Sequence, residues 1–161
     1  YRTVLGTYGA NVPKADFIRE RRQIATIIEM HKLGWVRACH DVGMGGLLTA
    51  LAEMAMGEEG PDHLGITLEL DVLEPAGLEP QKLLFSETGA FVVELPPGIE
   101  REVLALCARN RVKLYRLGEL KPFSRLEVTK GGKRLAVWEI DELFEAYSSG
   151  CRSIFGKEEN E

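Results

Sequence analysis

This sequence predicts an α+β fold, a mixed β-sheet with helices packed on one face, and three observations lead there. Apolar stripes of helical period alternate with short period-two segments, in the order α-β-α-β-β-α-β-β-β-α. Two late strand segments flank Gly131-Gly132, the mark of a hairpin, so the order departs from the regular βαβ alternation of a doubly wound sheet. A length of 161 residues, 45% hydrophobic and 28% charged, matches one ordinary globular domain able to bury a real core.

Residues 1–14, with Gly6, Gly9 and Pro13, read as a linker or irregular edge, and residues 15–156 as the single domain. Asp16 is placed to cap a helix whose stripe Phe17, Ile24, Ile27, Ile28 and Leu33 is expected to face the core. Arg19, Arg21, Arg22 and His31 fall on its solvated side. Gly34 ends that helix, and Trp35 to Val42 reads as a strand. A glycine turn and a helix from about Leu47 to Met56 follow. Gly57 to His63 is a polar loop, Ile66 to Leu70 alternates like a half-buried strand, and a proline-rich loop from Pro75 to Pro80 leads into a helical turn at Leu83 and Leu84.

A second polar junction, Ser86-Glu87-Thr88-Gly89, feeds a strand from Ala90 to Leu95. Pro96-Pro97-Gly98 breaks the chain before a helix over 99–110, with Val103, Leu104, Leu106 and Cys107 inward. Val112 to Leu117 reads as a strand, the hairpin spans Leu126 to Trp138, and Ile140 to Ser148 is the last helix. Trp35 and Trp138 are core or interface aromatics, and residues 157–161 form a charged tail prone to fraying.

Several function classes drop out. A net charge of −5 gives no broad footprint for nucleic acid or an anionic membrane, and no apolar run is long enough to span a bilayer. There is no signal peptide, and the start at Tyr1 is that of a fragment of something longer. The three cysteines, Cys39, Cys107 and Cys151, form no CxxC pair and no zinc spacing, which points to reduced thiols and a cytoplasmic setting. Walker A, GxGxxG and GxSxG patterns are missing, and Cys39 and His40, as strand neighbours, point to opposite faces and make no dyad.

What remains is two polar junctions. In His40-Asp41-Val42-Gly43-Met44-Gly45-Gly46 a strand meets three glycines in four positions and then a helix. Glycine there admits positive φ and close approach of a ligand, and the helix N-terminus presents free N–H groups to an anion. The same glycines also suit a tight strand–helix turn with no ligand at all. Asp41 and Glu87 are carboxylates of the kind that hold Mg²⁺ beside phosphate oxygens, with Asp41 the metal candidate; Ser86 and Thr88 can donate hydrogen bonds to phosphate or ribose. In the plainer alternative Asp41 and Ser86 cap helices and Glu87 faces water.

The run His40-Asp41-Val42-Gly43-Met44-Gly45-Gly46-Leu47-Leu48-Thr49-Ala50-Leu51-Ala52-Glu53-Met54-Ala55 resembles the His-Asp-Val-Ser-Asp-Gly-Gly-Leu…Ala-Leu-Ala-Glu-Met-Ala signature of phosphoribosylformylglycinamidine synthase, in its large subunit. Leu84-Phe85-Ser86-Glu87 is similar to that family's Leu-Phe-Ser-Glu-Ser block, and the likeness runs from about residue 10 to residue 155. It implies a carboxy-terminal domain of the aminoimidazole-ribonucleotide-synthetase superfamily. The implied reaction is the ATP- and Mg²⁺-dependent conversion of formylglycinamide ribonucleotide to formylglycinamidine ribonucleotide, with glutamine-derived ammonia. The partners implied are the remaining domains of the subunit, a glutaminase, a small accessory subunit, and a second copy of the chain in a dimer. By the same resemblance, His40, Asp41, Gly43, Gly45, Gly46, Ser86 and Glu87 are the substrate- or nucleotide-facing candidates, while the catalytic histidine belongs to an earlier domain. Two departures, Gly43-Met44 for Ser-Asp and Thr88-Gly89 for Ser-Gln, point to a structural or auxiliary nucleotide role for this copy and to a chain inactive alone.

Overall fold

The first helix begins because Asp16 accepts the Arg19 N–H at 3.0 Å. In the computed structural model, which describes residues 14–57, 64–73 and 79–155, that helix is α1, Phe17–Lys32. It ends when Gly34 turns left-handed at φ 71°, the Gly34 N–H reaching the His31 carbonyl and the Trp35 N–H the Met30 carbonyl, each at 3.0 Å. β1 (Ala38–Asp41), α2 (Gly46–Met56) and β2 (Gly65–Glu69) follow. A 3₁₀ turn over Leu70–Leu73, α3 (Pro80–Leu84), β3 (Phe91–Glu94) and α4 (Glu100–Arg109) come next. β4 (Gly118–Lys121), β5 (Arg125–Lys130), β6 (Lys133–Glu139) and α5 (Ile140–Phe155) complete the order. The predicted linker up to Pro13, most of the loop ending at His63, the loop after Leu73 and the charged tail lie outside the described residues.

The mixed sheet has the order β4-β2-β5-β6, with β2 and β5 parallel and the other pairs antiparallel. β1 and β3 form a separate antiparallel ribbon, His40 opposite Val92. Ile66, Leu68, Leu126 and Val128 are buried on one face of the sheet and join Leu47, Ala50, Leu51 and Ala55 of α2 and Ile140 of α5 in one core. On the other face Glu127 pairs with Val137, which is exposed. α2 and α5 therefore pack on one face of this sheet. The ribbon divides two cores, because adjacent strand residues point opposite ways. Val92 joins the first, while Val93 packs against the second, built on Met30, Val103, Leu106 and Cys107 between α1 and α4.

Three local expectations are corrected. The sequence predicts a strand over 112–117, whereas the chain there belongs to no strand. Its alternation has another origin: Val112 and Leu114 pack on the second core and Leu117 on the first, so this stretch bridges two cores without a ladder. Strand pairing starts at Gly118, where a Cβ would stand 1.6 Å from the Thr67 carbonyl oxygen. Leu104 is 55% exposed, since Val103, Leu106 and Cys107 already occupy the inward side of α4. The stripe of α1 is turned around as well. Thr26 and Met30 are buried and Ile27 packs on the second core as expected, while Phe17, Ile24, Ile28 and Leu33 are exposed.

Thr26 is tolerated inside because its hydroxyl donates to the Arg22 carbonyl at 2.8 Å and accepts from Asn110 Nδ2 at 3.1 Å. Beside it Glu29 takes the Arg109 guanidinium and the Asn110 amide, which together hold its carboxyl below the ordinary carboxylate range. A carboxylate depressed in the folded state stabilises the fold above the unfolded-state pKa, and that contribution fades as pH falls through the lowered folded value. The stability gap between the wild type and Glu29→Gln, measured by urea unfolding, is therefore expected to hold near neutral pH and to close as pH drops below about 4.3.

Candidate functional site

β1 delivers His40 and Asp41 to the mouth of the glycine turn. The Val42 N–H bonds the Ala90 carbonyl at 2.8 Å, so the strand ends beside the start of β3 and its preceding junction. The turn closes on itself through the Gly46 N–H and the Gly43 carbonyl, 3.1 Å apart. Gly45 stands at the N-cap of α2 in the left-handed region, φ 83°, with no cap from its own side chain.

The cap comes from the other junction. Glu87 Oε1 accepts the Gly45 N–H at 2.9 Å, although 42 residues separate them. The two polar stretches singled out in the sequence thus form one site. Gly46 seals the contact: a Cβ there would lie 2.7 Å from the Leu84 carbonyl oxygen and from Phe85 Cα. The glycine is required by a close backbone approach from within the chain. Glu87 also supplies the negative charge that favours a helix N-terminus, filling the place where an anion was expected.

Further residues complete the site. His40 Nε2 lies 3.0 Å from Glu53 Oε2, one face of α2 further along, and His40 Nδ1 lies 2.7 Å from the Asp41 carbonyl oxygen. Both neighbours are acceptors, and the tautomer of the ring decides which of the two contacts His40 donates to. Arg19 of α1 donates to the Thr88 carbonyl at 3.3 Å, and Thr49 Oγ1 bonds back to the Gly45 carbonyl at 3.1 Å. Sequence patterns miss Glu53 and Arg19 because their partners lie on other elements; the glutamate's place within the Ala-Leu-Ala-Glu run is the one available signal.

Asp41 is different. Its side chain is 73% exposed and only approaches His40 Nδ1, at 3.8 Å, so its carboxylate is open to solvent. Ser86 is half-buried and Met44 stands out from the turn. Desolvation and the neighbouring Asp41 charge push the Cys39 thiol pKa up, which disfavours its thiolate.

The carboxylates around this turn are those of Asp41, Glu53 and Glu87, with the Arg19 guanidinium beside Thr88. A bare phosphate is repelled by three carboxylates, whereas a phosphate accompanied by a divalent cation is not. Asp41, open to solvent, is a hard oxygen donor of the kind that divalent cations take. Among the described residues no group of three or more His, Cys, Asp or Glu side chains comes together as a metal cage. No helix among them is long and apolar enough to cross a membrane.

Residues 2–131 match the family described as AIR synthase related protein, C-terminal domain. The chain belongs to this family. Among relatives of this C-terminal domain, the phosphoribosylformylglycinamidine synthase subunit PurL of Methanothrix thermoacetophila is 37% identical over 94% of this chain, which spans 19% of that subunit. PurL of Thermotoga maritima complexed with FGAR has the same fold, with a TM-score of 0.72 at 22% identity over 88% of this chain and 23% of its own. The ADP complex of that protein gives 0.70 at 25% identity over 81% and 22%, and its PurLQS assembly 0.69 at 24% over 86% and 23%. The chain therefore spans about a fifth of the length of the relatives it matches.

Proposed function

We propose that this chain is the C-terminal domain of an ATP-dependent carbon–nitrogen ligase of purine biosynthesis, inactive alone and working only within the longer subunit. Membership of the family, together with PurL relatives five times as long, is the observation that carries the reading. The reaction would convert formylglycinamide ribonucleotide, ATP and ammonia to formylglycinamidine ribonucleotide, ADP and phosphate. ATP phosphorylates the amide oxygen, and ammonia then displaces phosphate from that carbon. Within this domain Asp41 would hold the cation that accompanies a nucleotide. Glu87, His40 and Glu53 would fix the turn that carries it, and Ser86 would face the same side. The partners would be the other domains of the subunit, a glutaminase and a small accessory subunit, a reading supported by the PurLQS assembly of Thermotoga maritima. A cytoplasmic setting accords with the unpaired thiols of Cys39 and Cys107.

The test is ATP hydrolysis dependent on formylglycinamide ribonucleotide, measured for this chain and for a full-length PurL relative. Turnover is expected from the relative alone; robust turnover by the 161-residue chain overturns the proposal.

A second reading, a purely architectural module, is favoured by one observation: the α2 N-terminus is already capped from within by Glu87. Melting scans with Mg²⁺-ADP separate the two. A ligand that binds only the folded state at 100 times its Kd adds about 2.7 kcal/mol of apparent stability. A rise abolished by Asp41→Ala supports the nucleotide-facing site, and no rise supports the architectural module.

A further inference from the structure

Helix α1 is apolar on two opposite sides, and this domain covers only one of them. With 3.6 residues per turn, Phe17, Ile18, Arg21, Ile24, Ala25 and Ile28 fall within a stripe about 120° wide, centred opposite the buried Thr26 and Met30. Phe17 is 78% exposed, Ile18 66%, Ile24 47% and Ile28 49%, and along them runs a shallow groove of about 370 Å³. A contiguous exposed apolar stripe marks an interaction surface, so the outer stripe calls for a partner.

Charge says what kind of partner. Arg21 lies in the middle of the stripe and lines the groove. If two copies of α1 packed antiparallel about a two-fold axis, the stripe's midpoint would fall just past Arg21. The two guanidiniums would then approach near the axis with only Glu20, which also lines the groove, to answer them. A different surface, apolar with a carboxylate opposite Arg21, covers the stripe without bringing two guanidiniums together. Sequence order says where it comes from. The family is defined as a C-terminal domain, its relatives carry about four fifths of their length outside this region, and α1 is the first described element of the domain. The segment leading into α1, residues 1–14, reaches at most about 50 Å when fully extended.

We infer that the outer face of α1 is the seat of the domain that precedes this one in the longer subunit, an apolar surface carrying an acidic residue that pairs with Arg21. This rests on the reading of the chain as one domain of a PurL-type subunit, and it assigns the surface by which the domain is held there.

The experiment grafts this chain in place of the last fifth of the Methanothrix subunit and carries Ile28→Cys in both the graft and the chain alone. Maleimide labelling at position 28 is read by mass spectrometry. Labelling is expected to be slower by about tenfold or more in the graft than in the chain alone. Adding Arg21→Glu should restore the fast rate in the graft and leave the chain alone unchanged. Equal rates in graft and chain overturn the inference. So does slow labelling of the chain alone that speeds up on dilution, which would mean a second copy is the occupant.

A companion variant of the chain alone, Ile24→Glu with Ile28→Glu, is expected to keep its thermal midpoint. A large fall would show that the chain covers the face itself, and would overturn the inference even if the graft failed to fold. ATP hydrolysis by the graft reports on the functional reading separately. An active graft with an unprotected position 28 rejects the surface alone, whereas an inactive graft with a protected position 28 rejects the function alone.

Discussion

Gly46→Ala is expected to lower the thermal midpoint far more than Gly34→Ala, although both glycines hold a left-handed backbone. Gly34, at φ 71°, has nothing within 4 Å of its would-be Cβ. Alanine there carries only the conformational penalty, about 1–2 kcal/mol. Gly46, at φ 76°, carries the same penalty and in addition presses its methyl into the backbone of Leu84 and Phe85 at 2.7 Å. Backbone held by α3 on one side and the Ser86–Gly89 junction on the other cannot yield cheaply, so overpacking adds about 1–3 kcal/mol. At about 2–4 °C per kcal/mol for a chain of this size, Gly46→Ala falls by roughly 10 °C and Gly34→Ala by roughly 4 °C. Thermal unfolding followed by circular dichroism measures both. Equal losses would mean that the 84–85 backbone gives way, and that the glycine turn is not locked to the second junction.

The same pair of positions explains what the sequence could reveal of the site. Three glycines before a helix declare a special backbone, and they do so whether the close neighbour is a ligand or the chain itself. Only the fold says which. At Gly46 it is the chain, and at the Gly45 N–H it is Glu87. Both junctions were legible because turn residues and carboxylates stand out against apolar strands. Their union was not, since a hydrogen bond across 42 residues leaves no periodic trace. Glu53 stayed hidden for the same reason, as its partner His40 lies on another element.

The fold was legible where one burial pattern had one cause. The β5–β6 hairpin, α2 and α4 follow from alternation, helical period and breakers. Residues 112–117 misled because their alternation comes from bridging two cores, and α1 misled because it carries apolar residues on both sides. An apolar stripe says that a face is to be covered; it does not say that the same domain covers it.

The face that this domain does cover sets the second large effect. Leu126→Ala is expected to be severely destabilising, while Val137→Ala, on the strand alongside, is expected to be mild. Leu126 is fully buried in β5, opposite Ile66 on β2 and Trp138 on β6. Truncating a buried leucine removes its transfer energy and leaves a cavity, together about 2–5 kcal/mol. Val137 sits on the opposite face opposite Glu127 and is 40% exposed, so its loss stays near about 0.5 kcal/mol. Urea unfolding of the two variants measures the contrast, and comparable losses would mean that the outer face of the sheet is packed too. The consequence reaches the site, because Leu47, Ala50 and Leu51 of α2 rest in the core that Leu126 helps to fill. A cavity under α2 loosens the seating of the helix whose N-cap N–H, at Gly45, meets Glu87. Amide exchange at Gly45 and Gly46 is therefore expected to accelerate in Leu126→Ala and to stay unchanged in Val137→Ala, which ties the turn's geometry to the core beneath it.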